Sequence, residues 1–160
     1  MRSETDFDVV VVGGGPAGAT AATELAREGF SVMLLDKDGR IKPCGGAVPP
    51  RLIRDFDIPD SQIVARIDSA RIVSPSGREV DMPVGKGYVG MVDREHFDEW
   101  LRNRATEFGA TRQSGIFKYL QRNPDGTVTV GYREKIDGKL GDDKKIRTRA
   151  LIGADGARSV

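Results

Sequence analysis

Residues 7–36 read FDVVVVGGGPAGATAATELAREGFSVMLLD, and this stretch decides the fold. Phe7 to Val12 ends in four consecutive valines, Val9 to Val12. An unbroken β-branched run of this kind fits a strand covered on both faces, as in a parallel sheet. Ala17 to Glu28 is helical by composition, with small residues on one face and Leu25 as its large anchor. Gly29 suits the left-handed position that closes such a helix. SVMLLD, residues 31–36, repeats the buried-strand pattern. Strand, helix and strand within about 30 residues make a right-handed βαβ unit.

The join between the first strand and the helix carries a G-x-G-x-x-G at Gly13, Gly15 and Gly18, and Asp36 lies 23 positions after Gly13. A glycine string is weak alone. Placed between a buried strand and a helix, with an acid at the end of the next strand, it is a dinucleotide-binding fingerprint. Gly13 permits the tight turn, Gly15 lets a pyrophosphate approach the backbone, and Gly18 lets helix and strand pack closely. The helix N-terminus supplies unpaired N–H groups and positive dipole to the phosphates. Asp36 accepts hydrogen bonds from ribose hydroxyls in such a site. Its charge disfavours a 2′-phosphate, which argues against NADP at this turn and leaves NAD and FAD. The bland alternative is a glycine-rich loop with no ligand.

Composition sets the frame around this unit. The chain has 160 residues, long enough for one domain with a sizeable core. Apolar residues are 38% and charged ones 31%, with a net charge of +1. That balance gives no electrostatic case for nucleic acid, and no polybasic run argues for anionic lipid. One cysteine excludes an internal disulfide and suits a cytoplasmic protein. The polar, acidic start MRSETDFD is not a signal peptide, and no apolar run is long enough to cross a bilayer. No metal is expected.

Further along, residues 40–59 are rich in Pro and Gly, with a short helical turn around Leu52 to Phe56. ARIDSARIVSPSGREVDMPV, residues 65–84, alternates apolar and polar residues about SPSG, which predicts an antiparallel hairpin. Asp93 is placed to N-cap a helix through Phe108, with Phe97, Leu101, Ala105 and Phe108 on one face and Gly109 closing it. His96, the only histidine, reads as a surface residue rather than a base, and Trp100 as core or interface. IFKYLQ and TVTVGYRE are strands flanking the turn NPDG; DGKLGDDKK reads as a solvated loop and KIRTRA as an edge strand. ALIGA, residues 150–154, is again a buried strand, followed by a glycine turn and a helix start. A chain ending there is expected to be the front part of a longer protein.

The expected fold is therefore α/β and Rossmann-like. A parallel central sheet uses strands at residues 7, 31, 111 and 150, with antiparallel β excursions, and the fold is truncated before its end. The nucleotide domain is assigned residues 1–60 and 93–160, and residues 61–92 an inserted antiparallel segment of a substrate or cover region.

Two glycine turns, GGGPAG near the start and GADG at Asp155 and Gly156, resemble the FAD-binding fold of the glutathione reductase and p-hydroxybenzoate hydroxylase type. In that fold the second aspartate lies by the ribityl and pyrophosphate region; the simpler reading of Asp155 is a helix cap. VDREHFDEWLRNRA resembles the helix whose opening arginine, Arg94 here, reaches the flavin, against the alternative of an exposed first-turn arginine. KPCGGA, with VSPSGREVDMPV and GYVGMVDREHFDEWLR, is similar to the geranylgeranyl reductases, in particular the chlorophyll and bacteriochlorophyll branch. The resemblance implies an FAD enzyme that uses NADPH to saturate prenyl double bonds. On this resemblance the enzyme would convert geranylgeranyl to phytyl on a prenylated pigment or on the free prenyl diphosphate. It also implies a cytoplasmic location, peripheral at a photosynthetic membrane. Expected cofactor contacts are Gly13, Gly15, Pro16, Ala17, Gly18, Asp36, Lys37, Cys44, Gly45, Gly46, Ala47, Arg94, Asp155 and Gly156.

Cys44 is the one candidate catalytic residue. Reducing an isolated alkene needs hydride on one carbon and a proton on the other, so a donor must stand near the flavin. Three readings stay open for the thiol: proton donor, pocket-lining residue, or incidental loop cysteine. A donor thiol must keep its proton, because a thiolate has none to give. Two further readings of the whole chain compete with the reductase. One is a flavin monooxygenase or halogenase on the same scaffold, and the other a non-catalytic dinucleotide-binding module.

Overall fold

The computed structural model describes residues 4–37, 44–85 and 87–157. Lys42 and Pro43 of the KPCGGA segment, and the helix expected beyond Gly156, lie outside the described residues. The chain divides into two compact units, Met1–Arg40 with Asp98–Val160, and Ile41–Phe97.

In the first unit, strand β1 (Phe7–Val12), helix α1 (Pro16–Arg27) and strand β2 (Val32–Asp36) form the βαβ unit, β1 and β2 pairing in parallel from Val9↔Val32 to Val12↔Leu35. Both strands are buried on both faces, as their apolar runs require. Val10, Val12, Met33 and Leu35 share a core with Val128, Val130 and Tyr132. The alternate positions, Val9, Val11, Val32 and Leu34, are equally sequestered. Helix α1 packs on β1 and β2 through a stripe of small residues, Gly18, Ala19, Ala22 and Thr23. Leu25, the expected anchor, is only half-buried. Small side chains bring the helix axis close to the sheet and leave no room for a leucine at the centre of the contact.

In the second unit, β3 (Ala47–Val48) precedes α2 (Pro50–Asp55), the expected short helical turn. Strands β4 (Ala65–Ile67), β5 (Ser69–Val73), β6 (Glu79–Pro83) and β7 (Val89–Met91) follow. Strands β5 and β6 are the antiparallel hairpin about SPSG, paired from Ser69↔Pro83 to Val73↔Glu79. Strand β4 leaves the hairpin and joins β7, which pairs with β3 on its other side.

Helix α3 (Arg94–Glu107) begins where Asp93 Oδ1 accepts the Glu95 N–H at 3.0 Å. That capping bond and, after it, the His96 ring hold the Asp93 carboxyl below its ordinary value. Phe97, Leu101 and Ala105 are buried as their spacing predicts. Phe108 is not. It lies beyond the last helical turn, 44% exposed, with the Arg27 guanidinium 5.3 Å from its ring centre.

Strands β8 (Thr111–Arg122), β9 (Val128–Ile136) and β10 (Lys139–Gly153) complete the first unit. Two of them have a double role. The start of β8, Thr111–Ser114, runs parallel to β2, and the rest, Gly115–Arg122, runs antiparallel to β9. The long β10 pairs antiparallel with β9 up to Thr148, then parallel with β1 from Thr148 to Gly153. The parallel sheet is thus β8-β2-β1-β10, the four strands expected, and the pairings close into a ring through β9. KIRTRA is not an edge strand: it lies between β9 and β1 as the middle of β10. Nor is most of DGKLGDDKK a loop. The turn is confined to Asp137 and Gly138, and a register shift between Leu140 and Asp143 absorbs the surplus residues.

Candidate functional site

The glycine turn is built against the second turn. Gly13 has φ 109°, a left-handed conformation that favours glycine, and a Cβ there would lie 2.5–2.7 Å from the backbone of Ala154 and Asp155. Two hydrogen bonds fix this approach. The Gly13 N–H donates to Leu35 O at 2.8 Å, and the Ala154 N–H donates to Val12 O at 2.7 Å. A Cβ on Gly18 would collide with the Gly13 carbonyl, so that glycine seats α1 on the turn. Over Gly15, by contrast, a Cβ would meet nothing within 4 Å. The two turns converge, and the open side of the motif is at its central glycine.

Open ground there suits a phosphate. Gly15 N-caps α1 with no side-chain hydrogen bond, Pro16 opens the helix, and no acidic residue occupies its first turn. The exposed Ala17 completes this uncapped end. First-turn N–H groups of a twelve-residue helix therefore face a cradle lined by glycine, which fits the pyrophosphate of a dinucleotide.

Asp36 is held beside this cradle. Its Oδ1 accepts the Gly14 N–H at 3.0 Å, and its Oδ2 lies 3.3 Å from Arg102 Nε. The same Nε donates to Gly14 O at 2.9 Å, so Arg102 grips the turn and the acid together. Both side chains are largely buried, Arg102 at 12% and Asp36 at 14% exposure. Gly14 is as constrained as the motif glycines, since a Cβ there would fall 2.7–2.9 Å from the Asp36 side chain. Arg102 Nη1 also donates to Glu99 Oε2 at 2.9 Å, and Glu99 takes two bonds from Arg112, at 2.6 and 2.9 Å. Arg112 foremost, and Arg102 with it, hold the Glu99 carboxyl below its ordinary value, against the opposing effect of burial.

Neither Arg102 nor Gly14 stands out in the sequence. Arg102 is 66 positions from Asp36, and its only local signal is the i, i+3 spacing from Glu99 on a helix face. Lys37 is exposed, and its carbonyl accepts from Lys135 Nζ at 3.1 Å. Asp155 and Gly156 are both exposed, immediately after β10.

The remaining expected residues belong to the second unit. Cys44 and Gly45 are exposed, and Gly46 is buried with φ 69°. The Gly46 carbonyl accepts the Val92 N–H at 2.9 Å, and a Cβ on Gly46 would strike the Val92 carbonyl. Together with Ala47↔Met91, this bond carries the Cys-Gly-Gly segment alongside the residues that lead into α3. Arg94, the first residue of α3, is half-buried. His96 is exposed, with Nδ1 3.1 Å from Asp93 Oδ2, a surface position as expected. Trp100 is half-buried, with the Arg104 guanidinium 5.4 Å from its ring centre.

Known proteins bear on this arrangement. The chain is 58% identical over 153 residues to a geranylgeranyl diphosphate reductase of Rhodobacter capsulatus, covering 96% of this chain and 38% of that protein. A chloroplastic geranylgeranyl diphosphate reductase of Arabidopsis thaliana is 41% identical over 168 residues, covering 98% of this chain and 35% of its own length. Among solved structures, a geranylgeranyl bacteriochlorophyll reductase-like protein of Thermoplasma acidophilum superposes with a TM-score of 0.76 at 27% identity, over 94% of this chain and 39% of that one. The chain thus spans little more than a third of the length of these relatives. Residues 7–160 match the pyridine nucleotide-disulphide oxidoreductase family, whose FAD-binding fold has this same mixture of parallel and antiparallel strands, and the chain belongs to that family.

Proposed function

We propose that this chain forms the FAD-holding part of a geranylgeranyl reductase that uses NADPH to saturate prenyl double bonds. The observation that carries the reading is the convergence of the Gly13–Gly18 turn on Ala154–Asp155, with open ground above Gly15. Similarity to geranylgeranyl diphosphate reductases supports the substrate class. The first turn and the start of α1 bind the pyrophosphate, and Asp36 accepts from the adenosine ribose hydroxyls. Asp155 and Gly156 border the ribityl side, Lys37 lies beside the ribose acceptor, and Arg94 binds from the start of α3. When bound and reduced by NADPH, FAD supplies the hydride for one alkene carbon. Gly45, exposed and without a Cβ, leaves backbone bare enough for a flat ring to approach, and Gly46 and Ala47 continue that segment. Cys44 holds a proton at Sγ for the other alkene carbon, or shapes the pocket around the prenyl tail.

The second unit, Ile41–Phe97, is read as part of the region that covers the substrate. Among the described residues no helix is long and apolar enough to cross a membrane. A pigment-bound prenyl chain would then be met by peripheral contact at a photosynthetic membrane.

Anaerobic single turnover with the intact protein tests this. Addition of NADPH should bleach the flavin absorbance, and geranylgeranyl diphosphate should restore it while the tail gains hydrogen. A colourless protein that takes up no FAD would overturn the reading. In the same assay, Cys44→Ala with unchanged rate removes the donor role, and an unchanged product distribution removes the pocket role as well.

A further inference from the structure

We infer that Arg102 is a positioning residue of the nucleotide site: it fixes and neutralises Asp36 so that the acid serves as a ribose acceptor beside the phosphate turn. This rests on the nucleotide-binding reading above. A mostly buried carboxylate must be paired, and one standing against a phosphate-binding turn repels the anion it is meant to help bind. Asp36 finds one peptide N–H, from Gly14, and one cation, Arg102. Arg102 Nε meanwhile donates to the Gly14 carbonyl, so a single guanidinium both pairs with the acid and holds the Gly14 carbonyl in place. Fixing that peptide fixes the neighbour of Gly15, where the motif is open.

The charges along this chain of contacts suit the assignment. Glu99 also approaches Arg102, but Glu99 already takes two bonds from Arg112. Glu99 is thus held by Arg112 independently of Arg102. Removing Arg102 therefore strands Asp36 while Glu99 keeps a cation. A longer-range consequence follows from burial: because the Arg102–Asp36 pair is largely screened from solvent by protein, salt weakens it little.

Titration of the full chain, freed of nucleotide, with ADP as probe tests the inference, because ADP carries the ribose and pyrophosphate without the flavin. Arg102→Met should weaken ADP binding by about 10- to 100-fold, the worth of a charge-assisted hydrogen bond. Arg102→Lys, which keeps the charge but cannot make the same forked contact, should recover part of the loss. Asp36→Asn alone should weaken binding, and adding Arg102→Met to it should cost less than Arg102→Met costs in the unaltered protein, because only the hold on the Gly14 carbonyl is then left to lose. That coupling is a signature a merely structural arginine would not give. Should Arg102→Met fail to fold, Arg102→Lys against Asp36→Asn/Arg102→Lys carries the same cycle. Unchanged ADP affinity in the Arg102 variants, or losses that simply add, would overturn the positioning role while leaving the nucleotide site standing. Failure of the unaltered protein to bind ADP would sink both.

Discussion

Strands β1 and β2 of the first unit and strands β5 and β6 of the second are built from similar residues and held by different forces. Val10, Val11 and Leu34 have no measurable exposure, whereas Ile72, Val73, Val80 and Met82 are each more than half exposed. The first pair owes its position to apolar burial on both faces. Among the described residues the hairpin is held by its ladder, its turn and surface ion pairs, notably Arg71 with Asp81 at 2.8 Å and with Glu79 at 3.4 Å. Such a two-stranded ribbon is at best marginal by itself in water. The nucleotide turn is accordingly mounted on the part of the chain that is hardest to deform.

The sharpest way to break this contrast is at Gly18. Gly18→Ala places a methyl group against the Gly13 carbonyl and Ala154, so α1 must lift from the turn. It should destabilise the protein by about 1–3 kcal/mol and abolish ADP binding, read by thermal unfolding and calorimetric titration. In stability alone, without the loss of binding, Leu34→Ala should cost more, about 2–5 kcal/mol in chemical denaturation, while Val80→Thr in the hairpin should stay within about 0.5 kcal/mol. Equal losses at the two positions would mean that the hairpin is buried against something in solution.

The smallest effect concerns acid. The Glu99 carboxyl is held below its ordinary value by Arg112 and Arg102, so its contribution is present above that value and lost as pH falls through the depressed one. Glu99→Gln should therefore be less stable than the unaltered protein at neutral pH, and the gap should close as pH falls below about 4. A gap constant from pH 7 to pH 3 would show that packing, not charge, accounts for Glu99. Because the residue is partly exposed, the difference is expected to be modest.

Much of the frame was legible because it is written locally. The valine run, the glycines and Asp36 lie within 30 residues and specify β1, α1 and β2 together. Asp93 marked the start of α3 through capping chemistry that needs only its neighbours. What stayed hidden depends on distant partners. β10 looked like a loop and two strands because its polar first part, KLGDDKK, is exposed, KIRTRA suits a half-exposed ribbon, and ALIG, at its end, suits a covered sheet. The change of pattern marks a change of neighbours, from β9 to β1, with no break in the chain. Arg102 was invisible for the same reason: an arginine on a charged helix looks solvated until the fold sets Asp36 next to it. The signals for Cys44 and Arg94 lay in resemblance rather than in residue chemistry, and Cys44→Ala in the turnover experiment tests the first of them.

The uninterrupted course of β10 has a consequence for how lengths may vary in this molecule. The strand acts as a ruler, delivering Ala154 to Gly13 after a fixed number of peptide units counted from Thr148, where it changes partners. An added residue after Thr148 would shift the second turn by one peptide and reverse the facing of everything beyond it. The register shift between Leu140 and Asp143 is the place where an insertion can be taken up. A change of length at the far end of the ribbon would thus leave the nucleotide groove undisturbed.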